Sequence, residues 1–163
     1  MTIEFRHGLK MCLVVAAVSI LSTPAMSAGG KPKGAQPTPP QEIISLYRGM
    51  TSTWNSGGSV YWAPDGTFQG INRREDAVGV GKWFVTSKSK LCAEVTWNAV
   101  VAGKPKTLDD EQCWQFVTAP DGTIWERYLS GDDRKWYRHK REKQSKGNSR
   151  KRLFQKISAQ LGL

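Results

Sequence analysis

Two copies of one five-residue turn constrain this chain more than any other feature. They are Ala63-Pro64-Asp65-Gly66-Thr67 and Ala119-Pro120-Asp121-Gly122-Thr123. Pro presets the backbone angle of the first central position, Asp tolerates the second, and Gly supplies the left-handed residue that follows. The product is a type I turn with a one-residue bulge, a common hairpin connection. Runs rich in β-branched and aromatic residues flank both turns, at 59–63 and 67–71, then at 111–118 and 123–129. Similar runs cover 78–86 and 91–98, and 135–138 reads as a short final strand. Short strands at regular turn spacing predict a mainly β domain. The expected architecture is a small antiparallel meander closing into a lipocalin- or streptavidin-like barrel, or a sandwich, with a short N-terminal helix and a basic C-terminal helical tail.

The ends of the chain read differently. Residues 1–28 have the form of an export signal, with Arg6 and Lys10 before the short apolar run 11–21 and small residues around Ala25-Met26-Ser27-Ala28. The run is shorter than the ~20 residues that span a bilayer. A periplasmic or secreted protein with no transmembrane anchor is therefore expected. Residues 29–38 are Gly-, Pro- and Lys-rich and read as a flexible leader. Thr38 stands three residues before Gln41 with Pro39 between them, a capping-box pattern. Ile43, Ile44, Leu46, Tyr47 and Met50 follow at helical spacing, so a helix is expected over 39–48, ended by Gly49. The β-domain is expected over 39–138 and the tail over 139–163.

Cys12 lies inside the signal, leaving Cys92 and Cys113. In an oxidising compartment an even pair is by default a disulfide. Closing a loop of about 20 residues stabilises by ~3 kcal/mol in chain-entropy terms. Two cysteines with no nearby histidine make a poor zinc site, and no metal or cofactor is expected. Strand alternation puts Cys92, Glu94 and Thr96 on one face and Leu91, Ala93, Val95 and Trp97 on the other. Pairing Cys92 directly with Cys113 would set Glu94 opposite Glu111. Like charges in that position are unfavourable, which counts against the simplest register and leaves open that the two strands are not neighbours.

Large aromatic residues mark almost every predicted strand. Trp54, Trp62, Trp83, Trp97, Trp114 and Trp125 are read first as core. A sharper alternative makes Trp83, Trp97, Trp114 and Trp125 a stacking platform for a sugar or other small ligand in a barrel cavity.

The series Leu46-Tyr47, Trp54, Gly58, Tyr61, Asp65-Gly66, Gly81-Lys82-Trp83, Leu91-Cys92, Trp97, Cys113, Ile124, Arg127 and Trp136-Tyr137 resembles the domain of unknown function 995 family. These are small exported proteins of rhizobia and related bacteria. The likeness covers about 41–138, and its most specific parts are Gly-x-Trp leading to Leu-Cys, the second cysteine and the closing Trp-Tyr. It implies an exported, disulfide-bearing β-domain and supplies no catalytic residues. The chain departs from the pattern at Trp114-Gln115-Phe116, where a more polar segment is usual, and in its very basic tail.

Catalysis has little support. His7 lies in the signal and His139 in the tail, so a serine or cysteine nucleophile with a histidine base is not expected. Glu94, Glu111 and Glu126 could converge as a glycan-cleaving carboxylate set, but they read first as solvated strand residues. Asp109-Asp110-Glu111 reads as a solvated turn in preference to a calcium loop. No catalytic residue is assigned.

The strongest functional signal is charge. Residues 134–156 hold eleven Lys and Arg against Glu142 alone, and the whole chain carries +10. Residues 132–148 are expected to be extended or disordered. A helix from Ser149 would gather Leu153, Phe154, Ile157 and Leu161 on one side, a basic amphipathic segment. Arg138, Lys140, Arg141, Lys143, Arg150, Lys151, Arg152 and Lys156 are the candidate binding residues. The expected partner is an anionic membrane surface or acidic polysaccharide, with a small ligand as a further candidate. Nucleic acid would attract the same charge but is seldom met outside the cytoplasm. Non-reducing mass spectrometry of the mature protein should find one bridge, Cys92 to Cys113; a free thiol at either position would contradict this reading.

Overall fold

In the computed structural model of the protein, residues 29–55 and 57–163 are described, and the export signal expected over 1–28 lies outside them. In chain order the elements are β1 (Gln36–Pro37), α1 (Pro40–Tyr47), β2 (Met50–Thr53), β3 (Ser59–Trp62), β4 (Thr67–Ile71) and β5 (Ala77–Thr86). There follow β6 (Lys90–Val101), β7 (Lys104–Thr118), β8 (Ile124–Tyr128), β9 (Tyr137–Arg138), a 3-10 turn (Arg141–Lys143), β10 (Gln144–Lys146) and α2 (Lys151–Gln160). The strands make one antiparallel sheet in the order β10-β2-β3-β4-β5-β6-β7-β8-β9, with β1 on the end of β7. Among the described residues, no helix is long and apolar enough to cross a membrane.

The twin turns fold alike. Asp65 Oδ1 accepts the Thr67 N–H at 2.9 Å and Asp121 Oδ1 accepts that of Thr123 at 2.9 Å. Gly66 and Gly122 take φ of +88° and +79°, the left-handed residues the motif requires. These bonds hold both Asp carboxyls below the usual carboxylate range.

The sheet curls into a half-barrel, and α1 lies against its concave face. There Ile43, Leu46 and Tyr47 meet Val60, Trp62, Phe68, Trp83, Leu91, Ala93, Val95 and Phe116. Trp62 is the hub: Tyr47, Phe68, Trp83 and Trp114 all meet it edge-on, with centroids 5.2–6.0 Å away. Edge-to-face packing suits the ring quadrupoles and fills the space under α1. Curvature needs glycine. At Gly81, β5 and β6 approach so closely that a Cβ would lie 1.9 Å from the Glu94 carbonyl oxygen. The cross-strand pair Gly70 and Gly79 leaves the hollow into which the Trp97 ring settles.

Three expectations are corrected. Cys92 does face Cys113 on neighbouring strands, Cα to Cα 4.2 Å, and Glu94 does face Glu111. Lys82, opposite Glu94 on β5, offsets the repulsion with an ion pair at 3.0 Å, and both side chains stay largely in water. The disulfide and the concave-face Leu91–Trp114 contact hold the register against that small cost. The capping box does not form: Pro40 opens α1, and Thr38 turns inward to hydrogen-bond the Thr118 hydroxyl at 2.9 Å. The leader is not loose either. Gln36 and Pro37 pair with Thr118 and Val117, and Ala35 is buried with Val117, Ala119, Trp125 and Trp136 on the convex face. A segment too polar to make its own core can still be ordered by lending main-chain bonds to another strand.

Gly81→Ala should cost ~3 kcal/mol or more, because the obstacle is backbone that has no rotamer to change. Urea unfolding of the two proteins with the disulfide intact measures it; equal midpoints would refute the role given to Gly81.

Candidate functional site

β9 alternates like any strand, and that alternation decides where the basic residues go. Arg138 pairs with Trp125 on the convex side, and the His139 N–H bonds the Ile124 carbonyl at 2.9 Å. The next side chain therefore turns inward: that of His139 is only 6% exposed. Its ring sits against Tyr47 and Phe116, at centroid distances of 5.6 and 6.5 Å.

Glu126 is the acceptor at the centre. Its Oε2 receives the Tyr47 hydroxyl at 3.0 Å and lies 2.9 Å from His139 Nδ1. With Nδ1 donating to the carboxylate, the ring orientation is fixed and Nε2 is left buried without a partner among the described residues. Burial, and the adjacent Glu126 charge, push the Tyr47 phenol well above its ordinary value of 10. The arrangement resembles a relay. Its bonds tie α1, β8 and the segment after β9 together.

That segment then crosses the opening. β9 is the last strand at one edge of the sheet and β10 pairs with β2 at the other, so residues 139–143 form a strap between the two edges. Thr53 Oγ1 donates to the Lys143 carbonyl and Thr51 Oγ1 to that of Gly147. Beyond it α2 lies on the convex face, where Ile157, Leu153, Phe154 and Leu161 pack with Ile71 and Val78. The expectation of an extended or disordered 132–148 is thus half corrected: β9 and β10 are extended, the strap between them winds through the 3-10 turn at Arg141–Lys143, and it is held at both ends. The helix expected from Ser149 is present, with its apolar side already covered by the sheet.

Arg138, Lys140, Arg141, Lys143, Lys151, Arg152 and Lys156 are all exposed, and none makes an ion pair among the described residues. Arg150 is different: half-buried, it pairs with Glu75. Arg138, Lys140 and Arg141, with Gly122 and Thr123 of the second twin turn, rim a groove of about 620 Å³ beside α1.

The other candidates scatter. Trp83 and Trp125 are buried, Trp83 donating its Nε1–H to the Ala63 carbonyl at 3.0 Å, so neither presents a stacking face. Trp97 and Trp114 are partly buried against the core. Glu126 is on the concave face, opposite Phe116, whereas Glu94 and Glu111 share the convex face with the cysteines. The sheet separates them, and Asp109 and Asp110 likewise alternate. Cys92, Cys113 and Glu111 lie together, but sulfurs bonded to each other offer no thiolate to a metal. The Tyr47–Glu126–His139 junction escaped the sequence reading. The visible signal was period-two alternation continuing through Trp136-Tyr137-Arg138-His139, hidden by the charge around it.

Fold and surface together define a class: a small disulfide-stapled half-barrel whose opening is crossed by a basic strap. The chain matches the family described as protein of unknown function DUF995 over residues 11–158, and it belongs to that family. No curated protein and no solved structure matches it. The match runs through the strap and nearly all of α2, beyond the 41–138 on which the resemblance was read.

Tyr47 makes the junction's pH behaviour testable. Its folded value is raised, so its contribution is complete below pH ~10 and is lost as pH rises through the folded value. In that range each pH unit removes about 1.4 kcal/mol. Tyr47→Phe should be ~1 kcal/mol less stable at neutral pH, having lost one bond to Glu126. The gap should narrow above pH 10; parallel stability curves would contradict the assignment.

Proposed function

We propose that this protein is an exported, non-enzymatic envelope protein that adsorbs to anionic surfaces. Lipid head groups, lipopolysaccharide phosphates and acidic polysaccharide share the required chemistry. The observation that carries the reading is the division of α2. Its apolar side is occupied by Ile71 and Val78, while Lys151, Arg152 and Lys156 face water with no acidic partner among the described residues. Lys151 and Arg152 also stand in the first turn, where no acidic residue is present. Cations there oppose the helix dipole, so the positions are poor for α2 and good for an incoming anion.

A docked apolar face changes the expected mode. Insertion into a bilayer would require α2 to leave the sheet and expose Ile71 and Val78. Adsorption is therefore electrostatic, through side chains held on an ordered surface, and Arg138 of β9 with Lys140, Arg141 and Lys143 of the strap form a second exposed basic group beside the opening. Near an anionic bilayer each Lys or Arg contributes on the order of 1 kcal/mol, screened within a Debye length of about 8 Å at physiological salt.

Co-sedimentation with phosphatidylglycerol-containing vesicles, with zwitterionic vesicles and with an acidic polysaccharide tests the reading. Binding should be confined to the anionic partners and fall steeply with salt. Replacing Lys151, Arg152 and Lys156 together by Gln should weaken it ~100-fold without altering the circular dichroism spectrum. Undiminished binding by the triple variant, or binding insensitive to salt, would overturn the proposal.

A further inference from the structure

The longest hairpin leaves an edge open. β6 and β7 pair without interruption from Lys90↔Gln115 to Val101↔Lys104, and Ala102 and Gly103, both at positive φ, close a two-residue turn. On its other side β7 meets β8 only from Trp114 to Thr118. Among the described residues, no strand pairs with that side of β7 between Lys104 and Gln112.

The direction of the free main-chain groups follows from the cysteines. Cys113 sends its N–H to Ser130 Oγ and receives the Leu129 N–H, so its main-chain groups point away from β6. The 4.2 Å separation of the Cys92 and Cys113 Cα atoms also marks a non-hydrogen-bonded pair. Counting back in steps of two, Glu111, Asp109, Thr107 and Pro105 direct their main-chain groups outward to the free edge. Proline falls where its missing N–H costs β6 nothing. Leu108, 66% exposed, stands at the middle of this edge.

We infer that the free edge of β7 pairs with the same edge of a second copy, antiparallel, about a two-fold axis at Leu108. Only a register in which one residue faces itself satisfies that symmetry. Centring on Leu108 sets Lys106 against the partner's Asp110, and the reverse, with the two Leu108 side chains in contact between them. Thr107 and the partner's Asp109 exchange main-chain bonds, and the Glu111 N–H reaches the partner's Pro105 carbonyl. Centring on Asp109 opposes like charges. Centring on Thr107 keeps a charge pair, Lys104 against the partner's Asp110, but sets Lys106 against Leu108 and separates the two leucines. The Leu108 register is therefore the one that combines two opposite-charge pairs with an apolar contact at the axis, the arrangement known as β-augmentation, and it covers main-chain groups that an exposed edge would offer to any strand.

Two measurements test this on the full mature protein. Leu108→Cys should cross-link into a disulfide dimer under mild oxidation, because facing residues of a non-hydrogen-bonded pair are in bridging range. Thr107→Cys should not, since Thr107 faces Asp109. Light scattering should give a dimer for the parent protein. Lys106→Glu should weaken it on the order of tenfold, and Lys106→Glu with Asp110→Lys should restore it. All four residues lie on the hairpin outside the buried core, so folding is not at risk. A monomer at high micromolar concentration, equal cross-linking at Thr107 and Leu108, or no rescue by the charge swap would overturn the proposal.

Discussion

One carboxylate oxygen holds together three stretches of this chain that lie far apart in sequence. Glu126 Oε2 binds Tyr47 from α1 and His139 from the start of the strap, and its own strand is β8. A half-barrel has an open side, and what fills an open side must be fastened there. α1 supplies the filling through Ile43, Leu46 and Tyr47; Glu126 fastens it, and the same atom fastens the strap that crosses outside. In surroundings of Trp62 and Phe116 these bonds face little competition from water, so removing one partner leaves the others desolvated and poorly matched.

The curl that creates the opening has its own requirement. β5 must come close to β6 at Gly81 and give way to Trp97 at Gly79, and any side chain at those positions would collide. Curling brings the sheet edges near enough for 139–143 to span them. It also turns the convex face of β4 and β5 outward, where Ile71 and Val78 receive α2. Glycine in a strand thus leads, through curvature and closure, to an ordered display of Lys and Arg. Without that chain of effects the same charges would hang on a flexible segment, and each binding event would have to order it.

Much of this was legible beforehand. The twin turns, the strands from β3 to β9 and the helix before them follow from alternation, turn chemistry and the placing of Gly and Pro, all local properties. The disulfide pair was legible from an even count of cysteines outside the expected export signal. What failed was judgement by composition alone. Neither the leader nor the strap has a core of its own, yet the leader pairs with β7 and the strap is held at both ends, by the His139 N–H on the Ile124 carbonyl and by Thr53 on the Lys143 carbonyl, bonds that composition does not report. Glu94 facing Glu111 counts against the register of Cys92 with Cys113 until β5 lies beside β6 and brings Lys82 to Glu94.

Sequence by itself determined which residues alternate, where the chain turns, where charge accumulates and which cysteines can pair. Periodicity, backbone stereochemistry and net charge need no knowledge of what lies across the molecule. Tertiary structure alone decided that His139 turns inward onto Glu126 while Lys140 and Arg141 stay outside, that α2 covers its apolar side on the sheet, and that Trp83 and Trp125 are packing and no platform. Those outcomes depend on which surfaces the curled sheet brings within a few ångströms of one another, and hydrogen bonds and packing act only at that range.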